Sequence, residues 1–215
     1  LNRVLISEQD ILGSEGGYLY GDLTRVPVWK PGVTARLLET QAPDKPRVIF
    51  STARPGPWNF SQHSEADLRL LYAGTVANAA SVFFFMYKPL LERPGMQALT
   101  GMNRFVEKNA AYYRGTRSEA TTALVWSDTT ANFYDGADAQ LLESDMVPAR
   151  SEVGNLDGEF SGLADTLLRS QTPFDVIDDV SMEQEELDRY AAIFLPNVAC
   201  MSEKTAGRLK DYVRQ

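Results

Sequence analysis

Between residues 47 and 87 the chain alternates apolar runs with polar stretches in an order that predicts strand, loop, helix and strand. Residues 48–50 are a short apolar run, and residues 52–63, rich in Pro, Gly and aromatic side chains, read as a loop. Ser64, with Asp67 three positions later, is a helix start, because a hydroxyl can accept an unpaired amide while an acid reaches back to the cap. Leu68, Leu71, Tyr72, Val76 and Ala79 then recur at helical spacing, which predicts one buried stripe. Residues 82–86 contain no polar side chain, as expected of a strand covered on both faces. A strand–helix–strand unit of this kind implies parallel neighbours in an α/β sheet. Such sheets bind ligands in the loops beyond the carboxyl ends of their strands. The loop STARPGPWNFSQH is therefore the first place to expect a site.

The flanks extend the same pattern. Residues 1–6 predict a strand leading into a polar loop, SEQDILGSEGGYLYGD, and residues 31–40 predict a helix through Val33, Leu37 and Leu38. After the loop KPLLERPG, a helix is expected over 97–113 with Met102, Phe105, Val106 and Tyr112 inward, and Gly115 suits the position past its end. From about residue 118 a second region begins, with predicted strands at 122–126, 174–177 and 191–195. SDTTANFYDG and DDVSMEQEELDRY read as loops, and residues 135–158 as irregular. Phe160, Leu163, Ala164, Leu167 and Leu168 form one helical stripe; Ser202 caps a last helix with Ala206, Leu209 and Val213 inward. This β-α-β-β-α order predicts a flavodoxin-like doubly wound sheet over 118–215, after a first α/β region over 1–117. Both regions read as incomplete. The first offers about three strand–helix steps, whereas a closed eight-stranded barrel takes roughly 250 residues.

Charge and composition exclude several function classes. Twenty-one basic against 29 acidic residues give a net charge of −8, with no basic cluster to meet nucleic-acid or lipid phosphates. No apolar run approaches the ~20 residues of a membrane span. The N-terminus, LNRVLISEQD, has neither a signal-peptide pattern nor an initiator Met, so the chain is expected to begin inside a longer protein. One Cys and one His rule out an intrachain disulfide and a Cys/His metal cluster. No cofactor is predicted, since no glycine-rich phosphate loop follows residue 126. The compartment stays open: soluble, cytoplasmic or secreted with a signal outside this chain.

The candidate chemistry gathers in the first region. Glu15, between glycines, can project into a cleft whose burial suits it to acid catalysis, or be a solvated loop acid. Asp10 can partner it, since glycoside hydrolysis uses two carboxylates roughly 5–10 Å apart, or simply cap a turn. Trp58, with Phe60 beside it, offers a stacking surface for a sugar ring, or core packing. Arg54 can donate to sugar hydroxyls or pair with an acid. His63, directly before the Ser64 cap, is substrate-binding in one reading and structural in the other; Tyr18 and Tyr87 can line the same mouth or pack. Cys200, in PNVACMSEK, lacks both the flanking glycines and a His in its region, so an inert buried thiol is expected.

These segments carry a resemblance. VIFSTARPGPWNF, SVFFFMYKP and residues 101–115 resemble the last strands and helix of the (β/α)8 barrel in glycoside hydrolase family 42 β-galactosidases. TALVWSD, FDVIDD and YAAIFLPNVACMSEKTAGRLKDYV resemble that family's trimerisation domain, of class I glutamine-amidotransferase-like, flavodoxin-like fold. The resemblance implies a partial barrel followed by an oligomerisation domain, a carbohydrate substrate (a β-galactoside) and a homo-oligomer, a trimer. It departs at one decisive position. Thr52 stands three residues before Pro55, where the family's nucleophile strand has Glu, and Thr cannot serve in the two-carboxylate scheme. The family's general acid lies on an earlier strand that this chain does not contain. Two readings follow: a portion of a glycosidase, inactive as an isolated chain, or a non-catalytic carbohydrate-binding or assembly module that has lost its nucleophile. An open part-barrel exposes apolar strand edges, so self-association is expected unless the remainder is supplied.

Overall fold

A computed structural model describes residues 3–17, 27–54, 61–134, 155–184 and 187–214. The first region contains helix α1 (Arg3–Ser7), strand β1 (Leu12–Gly17), helix α2 (Lys30–Gln41), strand β2 (Arg47–Thr52), helix α3 (Glu65–Val76), strand β3 (Ser81–Phe85) and helix α4 (Pro94–Lys108). The three strands are parallel in the order β1-β2-β3. The expected strand at 1–6 is instead α1, and the expected polar loop contains β1. Tertiary packing explains the strand LGSEGG: a Cβ at Gly13 would lie 2.7 Å from the Phe50 ring, and one at Gly16 would lie 2.5 Å from Thr34 Oγ1. Glycine at these positions lets β1 lie under an aromatic ring on one face and against α2 on the other.

α3 begins as the sequence predicts. Ser64 Oγ accepts from the Asp67 amide at 3.2 Å, and the Asp67 carboxylate accepts from the Ser64 amide at 3.2 Å. Leu68, Leu71 and Tyr72 are buried, but Ala79 lies past the helix, with φ of 55°. Leu68, Tyr72 and Leu99 cover Val82 and Phe84 of β3 from outside. The other face of β3 differs from expectation: Phe83 is 51% and Phe85 42% exposed, so among the described residues β3 is covered on one side only. On α4, Ala98 and Leu99 face inward with Met102 and Val106 half-buried, while Phe105 points to solvent, as does Tyr112 beyond the helix end. The helix ends at Lys108, and Gly115 adopts the positive φ of 66° that suits glycine.

The second region holds β4 (Thr122–Trp126), α5 (Asp128–Phe133), α6 (Leu156–Arg169), β5 (Asp175–Asp178), α7 (Asp179–Gln184), β6 (Ala192–Phe194) and α8 (Glu203–Arg214). Its strands are parallel in the order β5-β4-β6, and every residue of central β4 is buried. Two expected loops start as short helices. Ser127 caps α5 through the Thr130 amide at 3.0 Å, and Asp178 caps α7 through the Ser181 amide at 2.8 Å. Residues 135–154 of the expected irregular stretch lie outside the described residues; α6 carries the predicted stripe. On α8, Leu209 and Tyr212 pack inward and Val213 is exposed, so the inward face is rotated from the expected one.

α2 joins the two sheets. Ala35 and Leu38 pack with Leu12 and Ile49 of the first sheet. Val33 and Leu37 pack with Leu124, Phe160, Phe174 and Val176 of the second. A helix apolar on two sides is a core helix rather than a surface one. Polar bonds reinforce it: Arg36 donates to the Phe174 carbonyl at 3.1 Å with its guanidinium 4.4 Å from that ring, and Gln41 Nε2 donates to Asp178 at 3.1 Å.

Candidate functional site

Register places one set of side chains on the sheet face left open by the helices. Val48 pairs with Ser81, Phe50 with Phe83 and Thr52 with Phe85, while Gly13 pairs with Val48. Alternation along β1 puts Glu15 on the same face as Gly13, and Glu15 is exposed there. Phe50 and Phe83 meet edge-on with centroids 5.6 Å apart, as do Phe85 and Tyr87 at 5.3 Å. The Arg54 guanidinium lies 5.1 Å from the Tyr87 ring centroid. The carboxyl ends of β2 and β3 thus carry an aromatic wall with a cation at its top and an acid on the next strand. Rings offer apolar faces to sugar C–H groups, and Arg54 and Glu15 offer a donor and an acceptor for hydroxyls.

The loop after β2 is tied back onto the sheet. The Arg54 amide donates to Thr52 Oγ1 at 3.3 Å, and the His63 amide donates to the Ala53 carbonyl at 3.0 Å. Among the described residues, several buried polar atoms without a hydrogen-bond partner lie around this end: Thr34 Oγ1 behind Gly16, Ser51 Oγ, Arg54 Nε and His63 Nε2. An unpaired buried group costs about 1–3 kcal/mol, and native folds keep such groups where a ligand or water completes the bond.

His63 is 6% exposed. Burial pushes its imidazole below the usual range, against the pull of the Asp67 carboxylate and a backbone hydrogen bond with Arg54. The unfolded chain therefore binds this proton more readily than the fold does, so stability is retained above the ordinary value of 6.5 and declines as pH falls from there toward the folded value. Glu39, raised mainly by burial, has the opposite slope, at lower pH. Urea midpoints measured from pH 7.5 to 5 should fall in the parent and fall less in His63→Gln; equal slopes in both would refute the assignment.

From β4 the chain goes to β5 on one side and β6 on the other, so the loops after β4 and β6 flank the point where ligands of such sheets bind. Here Thr130 Oγ1 accepts from the Cys200 amide at 3.0 Å and lies 3.4 Å from its carbonyl, and Ser202 donates to Glu183. These bonds lace the two loops together. Cys200 is half-buried rather than buried, and no histidine lies in this region.

Of the predicted site residues, Glu15 and Arg54 lie at the open face. Asp10 lies in a bend two residues before β1, whereas Glu15 stands within the strand. His63 is buried beside the mouth, and Thr52, buried at the end of β2, offers no carboxylate. Tyr18, Trp58 and Phe60 lie outside the described residues. Phe83 and Phe85 were missed; their i, i+2 spacing with Tyr87 in VFFFMY was the available signal. Among the described residues no three His, Cys, Asp or Glu side chains converge as for a metal, and no helix is long and apolar enough to cross a membrane.

No protein-family model matches this chain, and no curated protein matches it by sequence. Two solved structures resemble it in fold. Gan42B, a GH42 β-galactosidase, superposes with a TM-score of 0.72 at 16% identity, over 98% of this chain and 32% of its own. The α-L-fucosidase isoenzyme 2 from Paenibacillus thiaminolyticus gives 0.63 at 16% identity, over 99% of this chain and 29% of its own. The chain thus has the fold of a GH42-like fragment, spanning about a third of the length of either structure. At this identity the likeness is one of fold.

Proposed function

We propose that this chain contributes a carbohydrate-binding wall to a glycosidase-like protein, its first region forming part of a (β/α)8-type barrel. The observation carrying this reading is the open face of β1-β2-β3, where Arg54 lies against Tyr87 and Tyr87 against Phe85, with Phe83 on the same strand and Glu15 on the same face of β1. Both fold neighbours are named as glycosidases, one acting on β-galactosides and one on α-L-fucosides. Binding and hydrolysis separate at this face. Between them β1, β2 and β3 present one carboxylate, Glu15, and Thr52 offers no nucleophile, whereas hydrolysis needs two acids. Any hydrolysis by the whole protein requires an acid from beyond these strands, with Glu15 as the partner this chain supplies.

The division near residues 117–118, with 118–215 as a flavodoxin-like assembly domain, belongs to the same proposal. Thr52 gives the second reading its support: a binding or assembly module without catalysis. Calorimetric titration of the chain with methyl β-galactoside tests the first reading. Saturable binding is expected, and Phe85→Ala, which removes an exposed ring, should weaken it about tenfold, or ~1.4 kcal/mol. Absence of binding at any sugar concentration, together with a stable oligomer by light scattering, would leave assembly alone. If the whole protein hydrolyses an aryl β-galactoside, Glu15→Gln should abolish turnover.

A further inference from the structure

Beyond the open sheet face, a separate cavity of about 400 Å³ lies between the starts of α3 and α4, on the loops that follow β2 and β3. Gln62 builds its floor. Its Oε1 accepts from the Gly95 amide at 3.1 Å and its Nε2 donates to the Leu90 carbonyl at 3.4 Å, so it ties the two loops together. Gly95 makes room for this: a Cβ there would lie 2.5 Å from Leu68 and 2.7 Å from Gln62. Ser64 is committed as well, donating to Asp67 at 2.7 Å, and Glu65 pairs with Arg69 at 3.8 Å.

Among the described residues three lining side chains have an uncommitted polar group: Ser61, His63 and Arg93. His63 Nε2 is buried and without a partner among those residues. Arg93, an exposed lining residue, makes no side-chain ion pair or hydrogen bond among the described residues. We propose that this cavity is a sugar subsite in which one hydroxyl donates to His63 Nε2 while an oxygen of the same sugar accepts from Arg93. A neutral imidazole with one nitrogen engaged can accept at the other, and Arg can only donate, which matches the donor-and-acceptor character of a hydroxylated ring. An anion fits less well. Glu65 in the wall and Asp67 just behind it set two carboxylates against one guanidinium, and burial keeps His63 neutral. The cavity volume falls in the range of small-molecule sites.

This inference rests on the carbohydrate reading, and the experiment separates the two. The chain has a single histidine, so its imidazole Hε1 gives one NMR signal that needs no assignment. Titration of the full chain with methyl β-galactoside at pH 7.5 should move that signal saturably. Arg93→Ala, a surface substitution that spares the fold, should weaken the response at least tenfold. Movement of the Phe83 and Phe85 ring signals with the histidine unmoved would overturn the subsite and leave the wall. Silence from both would remove both. A histidine response to inorganic phosphate but not to the sugar, or one unchanged in Arg93→Ala, would also overturn it.

Discussion

Leu37→Ala should cost about 2–5 kcal/mol and lower the unfolding midpoint of both sheets together. Leu37 is 1% exposed and packs with residues of the second sheet, while its neighbour Leu38, fully buried, packs with the first. A cavity at Leu37 removes contacts on one side of α2, but the helix itself is common to both cores. If α2 loosens, Ala35 and Leu38 lose their hold on Leu12 and Ile49 as well. One cooperative transition is therefore expected by tryptophan fluorescence, which reads Trp29, Trp58 and Trp126 together, and by far-UV circular dichroism, which reads the whole chain. Leu38→Ala should shift the same transition from the other side. Two separated transitions in Leu37→Ala, only one of them displaced, would mean that the sheets fold independently and that α2 belongs to one of them.

That double role shows where sequence reading runs out. Val33, Leu37 and Leu38 are visible as a helical stripe, but a one-sided stripe and a two-sided wedge share the same spacing until the second partner is known. Local signals fared better. The Ser64–Asp67 capping box depends on atoms within one turn, and it forms as the residue types dictate. β1 is the opposite case. LGSEGG has no β-branched or aromatic residue to mark a strand, and its identity depends on Phe50 and Thr34, distant in sequence. The five residues of α1 are too few for period to separate helix from strand. At the candidate site, Glu15 and Arg54 were legible because charged residues among glycines and prolines at strand ends are conspicuous. The aromatic wall was not, because an unbroken apolar run reads as buried on both faces. Gln62 and Arg93 were invisible, since their role comes from two loops meeting in space.

Asp178→Ala tests the polar half of the same junction and should be nearly as costly as the apolar change. The Asp178 carboxylate is 2% exposed. One oxygen accepts from the Ser181 amide at 2.8 Å and its hydroxyl at 2.9 Å, and the other accepts from Gln41 Nε2 of α2 at 3.1 Å. It therefore starts α7 and clasps α2 at once. Removing it strands buried donors at about 1–3 kcal/mol each, so a loss near 3 kcal/mol is expected in urea unfolding. Asp178→Asn keeps one carbonyl oxygen for Ser181 but turns a donor toward Gln41, so it should cost less than Ala yet still weaken the clasp. A double-mutant cycle with Gln41→Ala isolates the inter-sheet bond, and a coupling of about 0.5–3 kcal/mol is expected for groups in direct contact. Zero coupling would mean that Asp178 acts only as a cap for α7. A loss below about 0.5 kcal/mol in Asp178→Ala would contradict the burial and bonding described for it, and would leave the apolar wedge of α2 and the Arg36–Phe174 contact as the links described between the sheets.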